Sequence, residues 1–429
     1  MSVRYSKSEA LLERARKVIP LGSQTFSKSV TQYPHGISPY FATHGKGSRL
    51  WDVDGNEYVD FVNALCAVTL GYGDPDVTAA VAGQLGNGTI YSLSHELETI
   101  VAEQIVAMVP SAEMVRFGKN GSDATAGAIR VARAHTGREH VLACGYHGWQ
   151  DWYIGSTSRD KGVPAATKAL VHRFPYNEID ALEAAIRDRS GEVAAIIMEP
   201  MNIESPKPGY LQAVREIATR EGIVLVFDET ITGFRFANGG AQELFGVTPD
   251  LTTLGKGIAN GFPLSAVCGR RELMMEMEEV FFSFTMGGET LSLAAAHATL
   301  AKLEREPVVA TMRRRGGRIT EGLKERLARH KSEFFGSVAG DPTWSFFILR
   351  DAPTATAWEL KTLLQQEMFS RGILMIGTHN MSYAHSDADV DGVLAAYDEV
   401  LPILRDAAKN NALTQHLQCK PIVPLFKVR

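Results

Sequence analysis

Short apolar runs alternate with helix-period stretches through the middle of this chain, and that alternation is its strongest fold signal. From about residue 75, the runs Met114–Phe117, His140–Ala143, Leu170–Arg173, Val193–Met198, Ile223–Phe227 and Leu264–Cys268 have the length and content of buried strands. Between them, stretches such as Asp123–Thr136 and Ile179–Arg189 read as helices. The pattern predicts βαβ units around a largely parallel, buried sheet. Upstream, residues 7–18 place Ala10, Leu11, Leu12, Ala15 and Val18 near one helical face, with a stop at Pro20-Leu21-Gly22. A Gly/Pro/Ser-rich stretch to about Gly47 reads as extended coil. Arg49–Phe61 reads as a hairpin around the turn signal Asp54-Gly55-Asn56. Helices near Ser292–Leu303 and Val308–His330 lead out of the central body. The remainder reads as a smaller α+β part with strands near Trp344–Leu349 and Ile373–Ile376. The expected division is an N-terminal segment 1–59 that contributes to a small domain, a large domain 60–325, and a C-terminal small domain 326–429.

Composition narrows the function classes. The chain has 429 residues, 45% apolar and 22% charged, which is ordinary for a soluble globular protein with room for two or three domains. A net charge of −5 provides no basic field, so nucleic acid is not an expected partner. Cys66, Cys144, Cys268 and Cys419 show no CxxC spacing, which argues against a disulfide framework or zinc site and for a reducing cytoplasm. The first residues lead into a charged amphipathic stretch without a signal-peptide core. No apolar run approaches the roughly 18 residues of a membrane span. A cytoplasmic protein without a membrane partner is expected.

The candidate chemistry lies at the ends of the apolar runs. Ile223–Phe227 delivers Asp228 at its C-terminal edge, and downstream Lys256 stands between Gly255 and Gly257. A carboxylate and a lysine at strand ends are what pyridoxal phosphate (PLP) needs. The acid keeps the pyridine nitrogen protonated, and the amine forms the Schiff base and moves protons. An acid followed by a loop lysine is also the composition of an ordinary solvated turn, so the companions decide. Gly121 and Ser122 follow the run Met114–Phe117 and open a helix, where exposed amides suit a phosphate, although Ser122 or Asp123 acting as a plain N-cap has the same signature. Tyr146, in Cys144-Gly145-Tyr146-His147-Gly148-Trp149, is placed to lie flat over a cofactor ring or to pack in the core. No GxGxxG follows a strand and no Walker A motif occurs, which removes the dinucleotide and P-loop readings.

In their order, Asn120-Gly121-Ser122-Asp123-Ala124-Thr125, Tyr146-His147-Gly148, Glu199-Pro200, Asp228-Glu229-Thr230-Ile231-Thr232-Gly233-Phe234-Arg235 and Leu254-Gly255-Lys256 resemble class III, fold-type I PLP-dependent aminotransferases. The glutamate-1-semialdehyde aminomutase branch is the most similar. Leu50-Trp51-Asp52-Val53-Asp54-Gly55 and Ser382-Tyr383-Ala384-His385 extend the resemblance over nearly the whole chain. It implies a large α/β domain with a mostly parallel sheet and a small α+β domain from both chain ends. It also implies Lys256 as the Schiff-base lysine, Asp228 as partner of the pyridine nitrogen, and Gly121 and Ser122 on the phosphate. Tyr146 would stack on one ring face, and Thr230 would take the opposite face, where the family usually has valine. Thr285 matches the threonine that reaches the phosphate of the neighbouring subunit, which implies a homodimer with shared active sites. Glu199 matches a recurrent acid, either supporting the site from behind or holding structure. For His147 and Trp149, packing at the rim is expected.

Departures bear on the reaction. The aminomutases carry a longer Gly/Ser-rich gating loop after the tyrosine-histidine-glycine motif, where this chain has Trp149-Gln150-Asp151-Trp152-Tyr153-Ile154-Gly155. The family's arginine for the substrate carboxylate falls at Lys28, which lacks the planar fork, and a family glutamate falls at Gly377. The expectation is an aminotransferase acting between an amino donor and a carbonyl acceptor (an aldehyde, a keto acid or a sugar-like ketone), with Trp149, Trp152 and Tyr153 lining an acceptor pocket or packing a dimer contact. The rivals are a glutamate-1-semialdehyde 2,1-aminomutase and a non-catalytic PLP-binding protein.

Overall fold

Both ends of the chain enter one unit of the structure, a computed structural model that describes residues 3–423. Of the described residues, this unit takes those up to Cys66, Leu70–Asp74, and those from Ala310 onward, while Ala67–Thr69 and Pro75–Val309 form the other.

In the first unit, β1 (Ala42–Lys46), β2 (Arg49–Asp52) and β3 (Glu57–Asp60) make an antiparallel ribbon. Gly55, at φ 90, provides the left-handed turn that the hairpin signal requires. The ribbon corrects the expectation of coil to Gly47. The sequence Ala-Thr-His-Gly-Lys of β1 is largely exposed, so no apolar alternation marks it. The first helix, Ser6–Arg16, buries Leu12 and Ala15, but it ends before Val18, which is 81% exposed.

The larger unit holds a seven-stranded sheet of β4 (Met114–Gly118), β5 (His140–Cys144), β6 (Val171–Arg173), β7 (Val193–Met198), β8 (Val224–Asp228), β9 (Leu251–Leu254) and β10 (Ser265–Gly269). Its order is β4-β10-β9-β8-β7-β5-β6. Successive side chains serve opposite faces. Val141, Ala143, Ala195, Ile197 and Val226 meet Ala124, Ala128 and Ala132 of the helix Gly121–Thr136. Leu142, Ile196, Leu225 and Phe227 form the other core with Leu211, Val214 and Ile217 of the helix Tyr210–Glu221. Only β10 runs antiparallel to its neighbours, β4 and β9; every other pairing is parallel. Two reversals restore direction, so β4, β5, β7, β8 and β9 all end at one edge, the usual ligand edge of such a sheet.

The chain completes the first unit with β11 (Gly336–Asp341), β12 (Trp344–Leu349), β13 (Ile373–Leu374) and β14 (Thr378–Asn380). β13 pairs in parallel with β3, and β11-β12-β14 form a separate antiparallel sheet. The architecture is thus α/β with a mostly parallel central sheet and a small α+β unit from both chain ends. No helix among the described residues is long and apolar enough to cross a membrane.

Candidate active site

Asp228 is the last residue of β8, and Thr253 of β9 is its register partner. One residue after β9, Gly255 leads into a 3-10 turn that begins at Lys256. Acid and lysine therefore leave adjacent parallel strands at the same edge. Lys256 sits at φ 40, in the left-handed region that costs a residue with a Cβ roughly 1–2 kcal/mol. Strain of that kind persists where the surroundings enforce it, and functional sites are where it concentrates.

The Asp228 carboxylate is only 5% exposed. Its Oδ1 accepts from the Thr230 amide at 3.1 Å, the Thr230 hydroxyl at 2.6 Å and the Thr253 hydroxyl at 3.1 Å. Its Oδ2 faces Nδ1 of His147 at 2.8 Å. Burial pushes this carboxyl up. The His147 contact and the Thr230 hydrogen bonds outweigh that push and hold it below the usual carboxylate range.

His147 corrects the expectation of rim packing, because it is 1% exposed and bonded directly to Asp228. Its Nε2 lies 3.2 Å from the Cys144 carbonyl, so both ring nitrogens face oxygen atoms. Trp152 stacks on it at 6.4 Å and Tyr153 meets it edge-on at 5.1 Å. The Thr125 hydroxyl donates to its carbonyl at 2.8 Å. Only adjacency to Tyr146 marked this histidine in the sequence.

At the start of Gly121–Thr136, capping falls to Asp123, whose Oδ2 accepts from the amides of Lys119 at 3.1 Å and Asn120 at 2.8 Å. The Ser122 hydroxyl accepts instead from the Trp149 amide at 3.3 Å. The amides of Gly121 and Ser122, at the first two helical positions, have no intrahelical acceptor and lie at the positive end of the helix dipole. Glycine is required here by contact. A Cβ on Gly121 would stand 2.9 Å from Cγ2 of Thr230, and one on Gly148 would strike the Ser122 side chain. A Cβ on Gly255 would lie 3.1 Å from the same Thr230 methyl. Gly121, Thr230, Asp228 and the residue preceding Lys256 thus form one cluster, with Ser122 tied to the Gly148-Trp149 loop.

Tyr146 is half-buried and meets Tyr153 edge-on at 5.8 Å. Glu199, one residue past β7, is buried, and its Oε2 accepts from the Tyr146 amide at 3.0 Å and from Asn202 at 2.8 Å, which fixes the loop carrying the tyrosine. Trp152 is mostly buried and Tyr153 wholly so. They are 9% and 0% exposed, and the Tyr153 hydroxyl donates to the Gly145 carbonyl at 2.6 Å. Trp149 is 69% exposed. Thr285 lies in an exposed turn beside exposed Phe284 and Met286. Lys28 belongs to the other unit, where it is exposed on a short 3-10 turn. Gly377 has φ 90, a conformation that a glutamate adopts only under strain.

Residues 31–383 match the aminotransferase class-III family. Over 93% of this chain and 97% of the relative, the sequence is 34% identical to a 3-aminobutyryl-CoA aminotransferase of Cloacimonas acidaminovorans. It is 36% identical to a glutamate-1-semialdehyde 2,1-aminomutase of Roseiflexus castenholzii over 94% and 99% of the two chains. Among solved structures, the FumI protein of Sphingopyxis sp., in its PLP internal aldimine form, superposes with a TM-score of 0.87 at 29% identity, covering 94% of this chain and 98% of that one. An omega-transaminase of Sphaerobacter thermophilus gives 0.84 at 30% identity, over 94% and 100%. With its strand-edge acid and lysine and its open helix terminus, the chain belongs to the class-III aminotransferases, enzymes of fold type I that depend on PLP.

Proposed function

We propose that the protein transfers an amino group between two separate substrates, an amino donor and a carbonyl acceptor, with Lys256 as the amine that carries PLP. The donor set fits the cofactor. The Gly121 and Ser122 amides lie open at a helix N-terminus for the phosphate, Asp228 is held ionised for the ring nitrogen, and Thr230 and Tyr146 supply apolar surface for the two ring faces. When bound, PLP supplies an aldehyde that takes up an amine and a protonated ring that absorbs carbanion electrons. Asp228 keeps the proton on the ring nitrogen, and His147 fixes the carboxylate that does so. Lys256 Nζ would hold the cofactor, remove the proton from the donor's Cα and return one when the acceptor takes the amino group.

The observation that favours transfer between two molecules, over isomerisation of one, is the packing of the segment after Gly148. An aminomutase retains its intermediate behind a gating loop. Here Trp152 and Tyr153 anchor that segment in the core, and Tyr153 bonds the Gly145 carbonyl. Lys28, at the position of the family's carboxylate arginine, offers only a single point of positive charge, and Trp149 contributes aromatic surface. The working form is a cytoplasmic homodimer in which Thr285 serves the partner's phosphate. Its support is the exposed apolar surface of Leu93, Phe281, Phe284 and Met286 in the same unit.

Two experiments test the reading. Borohydride reduction followed by peptide mass mapping is expected to leave the cofactor on Lys256; attachment elsewhere refutes the assignment. Glutamate-1-semialdehyde supplied alone is expected to persist, whereas its stoichiometric conversion without a second substrate makes the enzyme an aminomutase.

A further inference from the structure

A cavity of about 600 Å³ opens on the larger unit between the helix Gly121–Thr136 and the segment that follows Gly148. Its wall includes Arg130, Arg133, Trp149, Trp152 and Thr167. The chemistry of these residues differs from that of the strand-edge cluster. The Arg130 and Arg133 guanidinium groups donate to the Phe281 carbonyl at 3.3 Å and the Glu139 carbonyl at 2.8 Å, each through one nitrogen, and each has further N–H groups to offer. The indole N–H of Trp152, in a side chain more than nine-tenths buried, finds no acceptor among the described residues. That nitrogen is closed off from the cavity, so the donors open to a ligand are those of the two arginines. Trp149 completes the wall with a large, mostly exposed aromatic face, while its amide is tied to Ser122 at 3.3 Å. Asp151 is the one carboxylate on the lining, against two arginines.

We propose that this cavity binds a nucleoside diphosphate moiety. The two guanidinium groups address the phosphate oxygens, and the base stacks on Trp149. Arginine forks match phosphate oxygens in pairs, and an exposed indole accepts any base on its face. The volume lies within the range of small-molecule sites. The moiety is either the handle of a nucleotide-linked amine or carbonyl substrate, or a free nucleotide. Only the first role rests on the aminotransferase reading.

Calorimetric titration of the PLP-loaded protein with ADP, UDP and inorganic pyrophosphate provides the test, because the loaded cofactor blocks binding at the helix terminus. ADP and UDP are expected to bind the wild type. Trp149→Ala should weaken both by about tenfold or more while leaving pyrophosphate unchanged. Arg130→Gln should weaken all three by about tenfold. Arg133→Gln should likewise weaken pyrophosphate and nucleotide alike. A thermal melt on each variant confirms folding, and Trp149→Ala, exposed in the wild type, carries the decision if an arginine substitution fails to fold. No nucleotide binding to the wild type, or wild-type affinity in both Trp149→Ala and Arg130→Gln, overturns the proposal. Pyrophosphate binding with nucleotide affinity insensitive to Trp149 overturns the nucleoside assignment. Competition of ADP with the amino donor in steady-state kinetics marks a substrate handle, and binding without competition marks a free nucleotide. A protein without the visible absorption band that disappears in Lys256→Ala would refute the aminotransferase reading while the titrations stayed informative.

Discussion

His147 and Asp228 form a buried pair in which an imidazole nitrogen lies 2.8 Å from a carboxylate that also accepts from Thr230 and Thr253. The pair links two strand ends, because His147 follows β5 and Asp228 closes β8. Replacing His147 by Phe removes one charge-assisted hydrogen bond, a loss of about 1.5–3 kcal/mol in the ionised carboxylate. The Asp228 carboxyl should then rise from its depressed position. A depressed acid contributes above its ordinary range and loses that contribution as pH falls through its lower folded value. In His147→Phe the loss therefore sets in at higher pH, and the acid limb of the kcat profile should move upward, with kcat reduced roughly tenfold or more. A variant profile that overlays the wild type would show that the histidine only fills space.

Asp228→Asn should cost catalysis far more than folding. The amide nearly keeps the carboxylate's volume but removes the charge that holds the ring nitrogen's proton. A fall in kcat on the order of a hundredfold is expected, with a melting temperature changed by only a few degrees. Single-turnover rates near the wild-type value would exclude Asp228 from the ring chemistry.

Gly121→Ala places a Cβ 2.9 Å from the Thr230 methyl, so the helix terminus or Thr230 must shift. Weaker PLP retention is expected, read as faster loss of cofactor on dilution. Thr230→Ser removes that methyl and keeps the hydroxyl that bonds Asp228 at 2.6 Å. The double variant should recover much of the retention lost in Gly121→Ala. If it does not, the glycine is needed for some reason other than this contact.

Much of this was legible in the chain, for definite physical reasons. Val193–Met198 is buried at all six positions, and its unbroken apolar run matches the observed strand end to end. The strand beside the lysine was not legible. β9 reads Leu-Thr-Thr-Leu, and its threonines are buried because Thr252 bonds Ser111 at 2.8 Å and Thr253 bonds Asp228. Hydropathy cannot see a hydroxyl satisfied by a partner elsewhere in the chain, 141 residues away for Thr252 and 25 for Thr253. His147 was obscured in the same way, since an interior histidine is identified by what it faces. Asp228 stood out as the acid that closes a buried apolar run, and Lys256 as the one charge in a glycine-flanked segment.

Two buried histidines of the smaller unit make a pH prediction. The Ser382 amide donates to Nδ1 of His385 at 2.9 Å, and Nε2 lies 3.1 Å from the Asp60 carbonyl, which fixes a neutral ring with its hydrogen on Nε2. Burial holds His385 down to about 4 and His379 down to about 3. For a base with a lowered folded value, the unfolded chain takes up its proton first. Stability is therefore complete above the ordinary histidine value of 6.5 and falls as pH drops from there toward 4 and 3. Melting temperature should decline through this window, and His385→Gln, less stable at neutral pH, should show a shallower decline. Equal slopes for variant and wild type would assign the acid sensitivity elsewhere.

Shared active sites require Thr285 to act on the partner's cofactor. In the single chain it is exposed in the turn that leads to Glu289, whose carboxylate caps the helix Thr290–Arg305 and pairs with Lys119 at 3.1 Å. Thr285→Val should weaken PLP retention by the loss of one hydrogen bond to phosphate, about 1.5–3 kcal/mol. Lys256→Ala should abolish turnover at any site it occupies. Mixing the two variants separates action across subunits from action within one. If Thr285 serves the partner, one site of each mixed dimer carries both defects and the other carries neither, so mixed dimers recover the activity and cofactor retention of one normal site. If it serves its own chain, each site carries one defect and no normal site appears. With equal amounts paired at random, activity that rises on mixing toward about a quarter of the wild-type value, and falls again when the subunits are separated and re-paired with their own kind, establishes the shared site.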